Sequence, residues 1–318
     1  MPAITPRQAM HGHTSQILDI VHLPGRQRII ACSADGSLRL WDLENDAQIG
    51  DAWRDEGHNA DVKNIALSPN SQTVASGSEG GTVRLWDVKT GKVIARWIGH
   101  TEHVGSVCWS GDGEQVVSGS WDGTARVWDV KTGKTVLEIK NGHQYVWAVT
   151  YSPDNTKFAT GGENENTIKI WDAKAGKLLS TLHQDQSVRS LAWTSDGKKL
   201  FSGSLGPIGI FDTDTWEQIA VLEGHIFNLS LARNDCLLAS TSIWDETVCL
   251  WNLNTNLPVC PLFQHNKDVS CLAFSADGKL LVTACEDNNV YLWDIHAILK
   301  EAGLEDLLSI PDVSLIRQ

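Results

Sequence analysis

A short aromatic–acidic motif returns seven times along this chain at a nearly constant spacing. The copies are Trp41-Asp42, Trp86-Asp87, Trp128-Asp129, Trp171-Asp172, Phe211-Asp212, Trp251-Asn252 and Trp293-Asp294. Successive copies are 45, 42, 43, 40, 40 and 42 residues apart. A histidine, usually after glycine, stands upstream of each copy, at His13, His58, His100, His143, His183, His225 and His265. A repeat of about 40 to 45 residues predicts similar units that stack and bury one another's apolar faces.

The third unit shows what each repeat contains. Residues 104–109, 116–120 and 124–128 alternate apolar and small or polar side chains, which is typical of β-strands. Turn sequences rich in glycine and aspartate separate them. A fourth segment, residues 135–139, follows the Trp-Asp pair after a further turn. Each unit is therefore predicted to be a four-stranded sheet, with strands a, b, c and d in chain order.

These motifs identify residues 4–296 as resembling the WD-repeat family. The resemblance implies an all-β fold, a seven-bladed β-propeller of four-stranded antiparallel blades around a central channel. It also implies that an N-terminal strand closes the ring, for which residues 4–11 are the candidate. Pro6 weakens that strand, which an edge position tolerates. We therefore expect one propeller domain over residues 1–296.

The last residues, 297–318, fall outside the repeat and are predicted to form a C-terminal tail. Its apolar residues favour a short helix, and Val313 to Ile316 are a candidate strand that would be the alternative source of ring closure. A tail of this kind more often packs on its own domain than serves as a free partner-binding helix.

Histidine, serine or threonine, aspartate and tryptophan recur at fixed offsets and suggest a catalytic triad. The WD-repeat resemblance instead implies buried structural tetrads, given most completely by His100, Ser118, Asp122 and Trp128 in blade three and by His265, Thr283, Asp287 and Trp293 in blade seven. Each member then satisfies the hydrogen bonding of another. A nucleophile would need one privileged, exposed copy, and the repetition offers none. No catalytic residue is predicted.

Other blades depart from this pattern. Ala31 stands where blade one should have a hydroxyl, and Gly80 stands where blade two should have its aspartate. Blade five lacks a glycine before His183, has a short turn between strands b and c, and ends in Phe211, so it is predicted to have the most degenerate network.

Function is expected at the channel mouth, where the family commonly binds peptides. Two positions in each blade are implied to face it: the residue after the first apolar residue of strand a, and the residue before the aspartate of the turn between strands b and c. They supply the predicted partner-binding residues Trp147, Phe227, Arg189, Lys63, Trp121, Trp244, Glu79 and Glu286. Trp147, Arg189 and Phe227 come from three consecutive blades, and tryptophan, arginine and other aromatic residues are common interface anchors. For Trp121 and Trp244, packing within the domain is an equally good interpretation.

Composition limits the partners. The net charge of -13 would repel a phosphate backbone, so nucleic acid is not expected. No apolar run is long enough for a membrane span or a secretory signal, so we expect an intracellular protein, cytoplasmic or nuclear, with no membrane partner. The seven scattered cysteines indicate reduced side chains. The histidines lie in separate blades without metal-ligand spacing, so neither a metal nor a cofactor is expected.

The sequence thus predicts a non-catalytic scaffold or adaptor that binds a peptide or partner protein at the channel mouth, as a monomer or within a larger complex. One alternative is a ligand-sensing module, since the array resembles those appended to NACHT-type signalling NTPases. The other is a propeller enzyme, which is disfavoured because Lys63 and Arg189 are the only charged residues at the strand positions that face the channel.

Overall fold

The computed structural model describes residues 5–25, 27–56, 60–224, 228–242, 246–259 and 262–308, and they form seven four-stranded antiparallel sheets. Strands a, nearest the axis, are Ile17–His22, Val62–Leu67, Val104–Trp109, Val146–Tyr151, Val188–Trp193, Asn228–Leu231 and Val269–Phe274. Strands b are Arg28–Ser33, Thr73–Ser78, Gln115–Ser120, Lys157–Gly162, Lys199–Ser204, Leu237–Thr241 and Leu280–Cys285. Strands c are Ser37–Asp42, Thr82–Asp87, Thr124–Asp129, Thr167–Asp172, Ile208–Asp212, Thr247–Asn252 and Asn289–Asp294. Strands d are Ala47–Arg54, Val93–Ile98, Thr135–Lys140, Leu178–His183, Gln218–Leu222, the pair Leu257–Pro258 and Phe263–Gln264, and, in blade seven, Gln8–His11.

Turn chemistry joins these short strands. In the turn between strands c and d of blade three, the Asp129 carboxylate accepts hydrogen bonds from the backbone N–H and the hydroxyl of Thr132, at 2.7 and 2.6 Å. Gly123, between strands b and c, has φ +77°, and a Cβ there would lie 2.9 Å from the His143 carbonyl oxygen. In blade three this turn therefore needs a residue without a Cβ, because it approaches the next blade closely.

The hydrophobic core is divided among the blade interfaces. Seven buried clusters are found in the described part of the chain, and each lies between two neighbouring blades. The cluster between blades two and three, for example, joins Val83 and Trp97 to Val104 and Trp128. Because every blade buries both faces against its neighbours, opening the ring would expose one apolar face on each of the two blades at the break. This confirms the predicted all-β, seven-bladed propeller.

The N-terminal strand closes the ring, as predicted from the sequence. Gln8–His11 pairs antiparallel with Asn289–Asp294 of blade seven, and the Arg7 N–H donates to the Leu292 carbonyl at 2.7 Å. Pro6 precedes the strand, so it removes no ladder donor. Met10 is fully buried between blades seven and one. The first and last repeats are thus joined by the strand and by packing.

The tail begins as a helix, Ile295–Glu301, which is capped by the aspartate of the last Trp-Asp pair. A 3-10 turn follows at Glu305–Leu308. Leu299 and Leu307 are buried in the cluster between blades six and seven, so the described tail packs on its own propeller. The candidate strand at 313–316 lies outside the described residues.

Candidate functional site at the channel mouth

A β-bulge near the start of strand a positions the side chains of the channel mouth. In blade three, Val104 pairs with Ser120 and Ser106 pairs with Gly119, so Gly105 is an extra residue without a partner. The same shift occurs in blades one, two, four, five and seven. Bulges re-aim side chains at functional rims. In blades two, four and five the extra residues are Lys63, Trp147 and Arg189. The bulge therefore explains why this strand a position, which was selected from the sequence, carries side chains of the channel mouth.

The residue after the bulge links neighbouring blades around the channel. The Asn64 side-chain oxygen accepts from the Val107 N–H at 2.7 Å, and the Ser106 hydroxyl accepts from the Val149 N–H at 3.1 Å. Asp19 accepts from the side-chain amide of Asn64 and from the Ile65 N–H. Burial raises the pKa of Asp19 to about 7 although backbone N–H groups donate to it. These bonds satisfy strand-edge groups that would otherwise be unpaired at the channel wall.

The mouth is a cavity of about 640 Å³, lined by strand a residues from all seven blades and by turns between strands b and c. We call this end of the ring the top face. On its blade-three and blade-four side, Trp121 stacks on His103 with ring centroids 4.5 Å apart, and it meets Trp147 edge-on at 4.8 Å. Tyr145 lies 5.3 Å from Trp121. We call these four residues the aromatic cluster.

Arg189 extends the aromatic cluster onto blade five. Its guanidinium carbon lies 3.9 Å from the centre of the Trp147 ring, which is a cation–π contact. The Trp147 indole N–H donates to Glu163 at 3.2 Å, so the ring is held from two sides. Burial lowers the pKa of Arg189, and the nearby charge of Glu163 only partly opposes this shift. Among the described residues, no carboxylate lies within 4 Å of this guanidinium, and its buried Nε has no hydrogen-bond partner.

The other predicted partner-binding residues occupy different surroundings. Lys63 lines the cavity but pairs with Asp61 at 2.9 Å. Glu286 lines it and accepts from Gln16 at 3.5 Å. Glu79 is exposed beside it, 3.6 Å from His103. Phe227 and Trp244 lie outside the described residues.

His103 and Tyr145 belong to the aromatic cluster and were missed by the sequence reasoning. Each directly precedes the first apolar residue of strand a, at the position that Gln16 and Asp268 hold in their blades. One position of the repeat therefore supplies His103, Tyr145, Gln16 and Asp268. An extra column of the repeat alignment, one residue before the strand, would have found them.

In blade three the recurring histidine, serine and aspartate form a buried hydrogen-bond network. His100 bonds Asp122 through Nδ1 and Ser118 through Nε2, both at 2.8 Å, and the Trp128 indole N–H donates to Ser118 at 2.8 Å. Burial alone would raise the pKa of Asp122, but hydrogen bonds from His100 and Thr124 outweigh it and hold the pKa well below its usual range. His100 and Ser118 are 5% and 0% exposed. This network ties the loop before strand a to strands b and c.

The blade-seven network differs from the predicted tetrad. Trp293 donates to Thr283 at 2.9 Å and Thr283 lies 3.3 Å from His265, but Asp287 does not bond to that histidine. The Tyr291 hydroxyl donates to Asp287 instead, because its ring reaches over from strand c. His265 turns its Nδ1 to the Cys285 thiol at 3.2 Å, and burial lowers its pKa to about 4, although the charge of Asp287 partly opposes the shift.

In blade five the polar residue of the network lies one position later in the chain than the repeat spacing predicted. His183 ends strand d of blade four and is exposed, whereas the Gln184 side chain donates to Ser202 at 2.7 Å. In six of the seven repeats the histidine stands 28 residues before the aromatic residue of the motif, and His183 keeps this offset from Phe211. Because the turn between strands b and c is one residue short in blade five, the equivalent position is Gln184. The polar residue facing the strand b hydroxyl is a glutamine in this blade.

A second cavity, of about 610 Å³, lies at the opposite end of blades one and seven. Its charged side chains include Arg7, Glu44, Lys279 and Asp294, beside the seam closed by the N-terminal strand. No group of three or more histidine, cysteine or acidic side chains in the described residues could hold a metal ion. Within the same residues, no helix has the length and apolarity to cross a membrane.

Comparison with known proteins gives the family. The model for "WD domain, G-beta repeat" matches residues 4–42, 53–87, 91–129, 133–172, 176–206, 216–252 and 257–294. Similar proteins include periodic tryptophan protein 2 of Arabidopsis thaliana, 31% identical over 41% of this chain and 15% of that protein. They also include guanine nucleotide-binding protein subunit beta-like protein 1 of Mus musculus, 28% identical over 42% and 43%, and anaphase-promoting complex subunit cdc20 of Dictyostelium discoideum, 31% identical over 41% and 27%. The matches span less than half the length of each of these relatives. With its seven matched repeats, the chain belongs to the WD40-repeat family.

Proposed function

We propose that this protein is a non-catalytic scaffold that binds a peptide segment of a partner protein at its top face. The observation that carries the proposal is the aromatic cluster with Arg189 beside an open cavity. Tryptophan, tyrosine and arginine dominate binding energy at protein interfaces when they surround a pocket. Trp121 and Trp147 are half-buried by their neighbours, so they are held in place yet remain reachable.

The non-catalytic part of the proposal rests on where the reactive residue types lie. In blade three, the histidine and serine that would form a triad are buried and bonded to each other, and the serine also accepts a hydrogen bond from Trp128. A nucleophile must reach its substrate, and Ser118 is fully covered. These residues therefore support the blade instead of a reaction.

The relatives support a protein as the partner. The name of one describes a subunit of the anaphase-promoting complex, and the name of another describes a protein that is like the beta subunit of a guanine nucleotide-binding protein. Membership of such assemblies requires a protein-binding surface. The alternative predicted from the sequence is a ligand-sensing module, for which the names of these relatives give no support.

The test compares two tryptophan truncations on opposite ends of the ring. Trp147→Ala should weaken binding of captured partners by roughly 2 kcal/mol or more, the scale of an interface hot spot. Trp216→Ala, which removes a half-buried tryptophan beside Trp193 at the other end, should leave binding unchanged. Melting temperatures of both variants would be measured alongside. If Trp147→Ala melts normally and keeps every partner, the top-face assignment is wrong.

Phe227→Ala gives a second variant, chosen because the family resemblance implies that this residue faces the channel mouth. It is expected to weaken binding on the same scale as Trp147→Ala. A large drop in melting temperature with binding intact would instead indicate a core role for this phenylalanine, since truncating a buried aromatic costs roughly 3 to 5 kcal/mol.

A further inference from the structure

The charged groups of the mouth are unequally paired. Lys63 has Asp61, Glu163 accepts from Trp147, and Asp19 accepts from Asn64 and two backbone N–H groups. Arg189 has neither an acidic partner within 4 Å nor any hydrogen bond among the described residues, although it is partly withdrawn from water. Withdrawing a charge from water without a partner is unfavourable, and an incoming anion would relieve that cost.

Arg189 is also held ready for such an anion. The Trp147 ring fixes the guanidinium plane from one face, and Glu163 fixes the ring. A planar guanidinium offers parallel N–H groups that match a carboxylate. Because the side chain is already ordered by this stacking, little further entropy is lost when it binds.

From these contacts we propose that the top-face site recognises a single carboxylate side chain, aspartate or glutamate, within an otherwise apolar peptide. This deepens the proposed function and rests on it. Arg189 would bind the carboxylate, and the neighbouring apolar residue of the peptide would pack on the half-buried Trp121 and Trp147.

Two features favour one carboxylate over a phosphate or an acidic run. Phosphate sites generally use clusters of arginine, and the only other lysine or arginine among the described lining residues, Lys63, is already paired. Asp268 also lines the cavity, two blades from Arg189, and has no side-chain hydrogen-bond partner in the described structure. It would repel a second acidic group and accommodate a neutral or basic one.

Capped seven-residue peptides provide the test. An array of apolar peptides would carry glutamate, glutamine, lysine or phosphoserine at the centre, with a second set carrying three consecutive glutamates. Binding to the full chain would be measured on the array and then by fluorescence anisotropy for the strongest sequences. We expect the single-glutamate peptide to bind about ten- to a hundredfold more tightly than its glutamine counterpart, the range for a hydrogen bond to a charged group.

Arg189→Gln should abolish the preference for the glutamate peptide over the glutamine peptide. The matched control is Arg233→Gln, which makes the same charge change at an exposed turn between strands a and b of blade six. It should keep the preference.

Three outcomes would overturn the inference: stronger binding of the glutamine, lysine, phosphoserine or triple-glutamate peptides, a glutamate preference that persists in Arg189→Gln, or no peptide binding at millimolar concentration. In each case loss of partner capture by Trp147→Ala would still support the proposed function. Failure of the inference and failure of the function are therefore distinguishable.

Discussion

Blades three and one begin their hydrogen-bond networks in the same way and finish them differently. In both, a buried histidine bonds the aspartate of the turn between strands b and c, at 2.8 Å in blade three and 3.0 Å between His13 and Asp35 in blade one. Blade three then has Ser118 between its histidine and tryptophan, whereas blade one has Ala31. As a result, Nε2 of His13 and Nε1 of Trp41 are buried without a partner among the described residues.

This difference shows that the network consists of two separable halves. The histidine–aspartate half joins the loop before strand a to the turn after strand b, and it forms without the hydroxyl. The serine–tryptophan half fixes strand b to strand c. Blade one keeps the first half and has lost the second, yet Trp41 is still 3% exposed, because packing between blades seven and one holds it in place.

The largest effect is expected from removing the histidine, because it connects the two halves through its bonds to Asp122 and Ser118. His100→Ala should lower the free energy of unfolding by about 1 to 3 kcal/mol, since it takes a hydrogen bond from buried Ser118 and from Asp122. Urea unfolding of the variant and the parent measures it. A loss below about 0.5 kcal/mol would mean that packing alone supports blade three, as it does the tryptophan of blade one.

Blade seven extends the comparison to pH, because its histidine is buried without the aspartate. The pKa of His265 is about 4 in the folded chain, against about 6.5 when unfolded, so the unfolded state binds the proton first. Its contribution to stability is complete above about pH 6.5 and is lost as the pH falls toward 4. Between pH 7 and 5.5 the loss should be about 1 to 1.5 kcal/mol.

His265→Gln isolates this contribution. His22 and His143, whose pKa values burial also lowers to about 4, remain in the variant and add the same acid sensitivity to both proteins. The parent should therefore lose more stability than the variant over this pH interval when both are melted at pH 7 and 5.5. Equal losses would show that His265 stays neutral in both states or is protonated in both.

The incomplete half of blade one can be rebuilt. Ala31→Ser should raise the free energy of unfolding by roughly 0.5 to 1.5 kcal/mol, since the hydroxyl would bridge two buried nitrogen atoms that now have no partner. Ala75→Ser is the control, at a fully buried strand b position of blade two that does not face such a pair. It should be destabilising, because it buries a hydroxyl without supplying a missing partner. A destabilised Ala31→Ser would mean that the space beside Trp41 is too small.

The repeat predicted stacked four-stranded units, and the WD-repeat resemblance that its seven copies carry implied the ring, its closing strand and the strand positions at the channel mouth. Individual contacts were less predictable. The separation of Asp287 from His265 depends on Tyr291, a residue with no special signal in the sequence. The aromatic cluster depends on side chains from two blades, Trp121 and Trp147, which meet only when the ring forms. Offsets within one repeat cannot report a contact between repeats.

The smallest change in stability is expected in blade five. It tests whether a residue belongs to the hydrogen-bond network because of its position in the fold or because it is a histidine. His183 was selected because it is a histidine 28 residues before Phe211, but it is exposed at the end of a strand. The Gln184 side chain donates to Ser202 at 2.7 Å, and the Phe211 side chain has no N–H group that could complete a second half. Gln184→Ala should therefore cost about 0.5 to 1 kcal/mol, less than His100→Ala, because one hydrogen bond is lost and no buried carboxylate is left short of a donor. His183→Ala should change stability by less than about 0.5 kcal/mol, as is usual for an exposed side chain. Paired unfolding curves decide between them: a larger loss for His183→Ala would place the network residue where the simple count put it and would refute the one-residue shift.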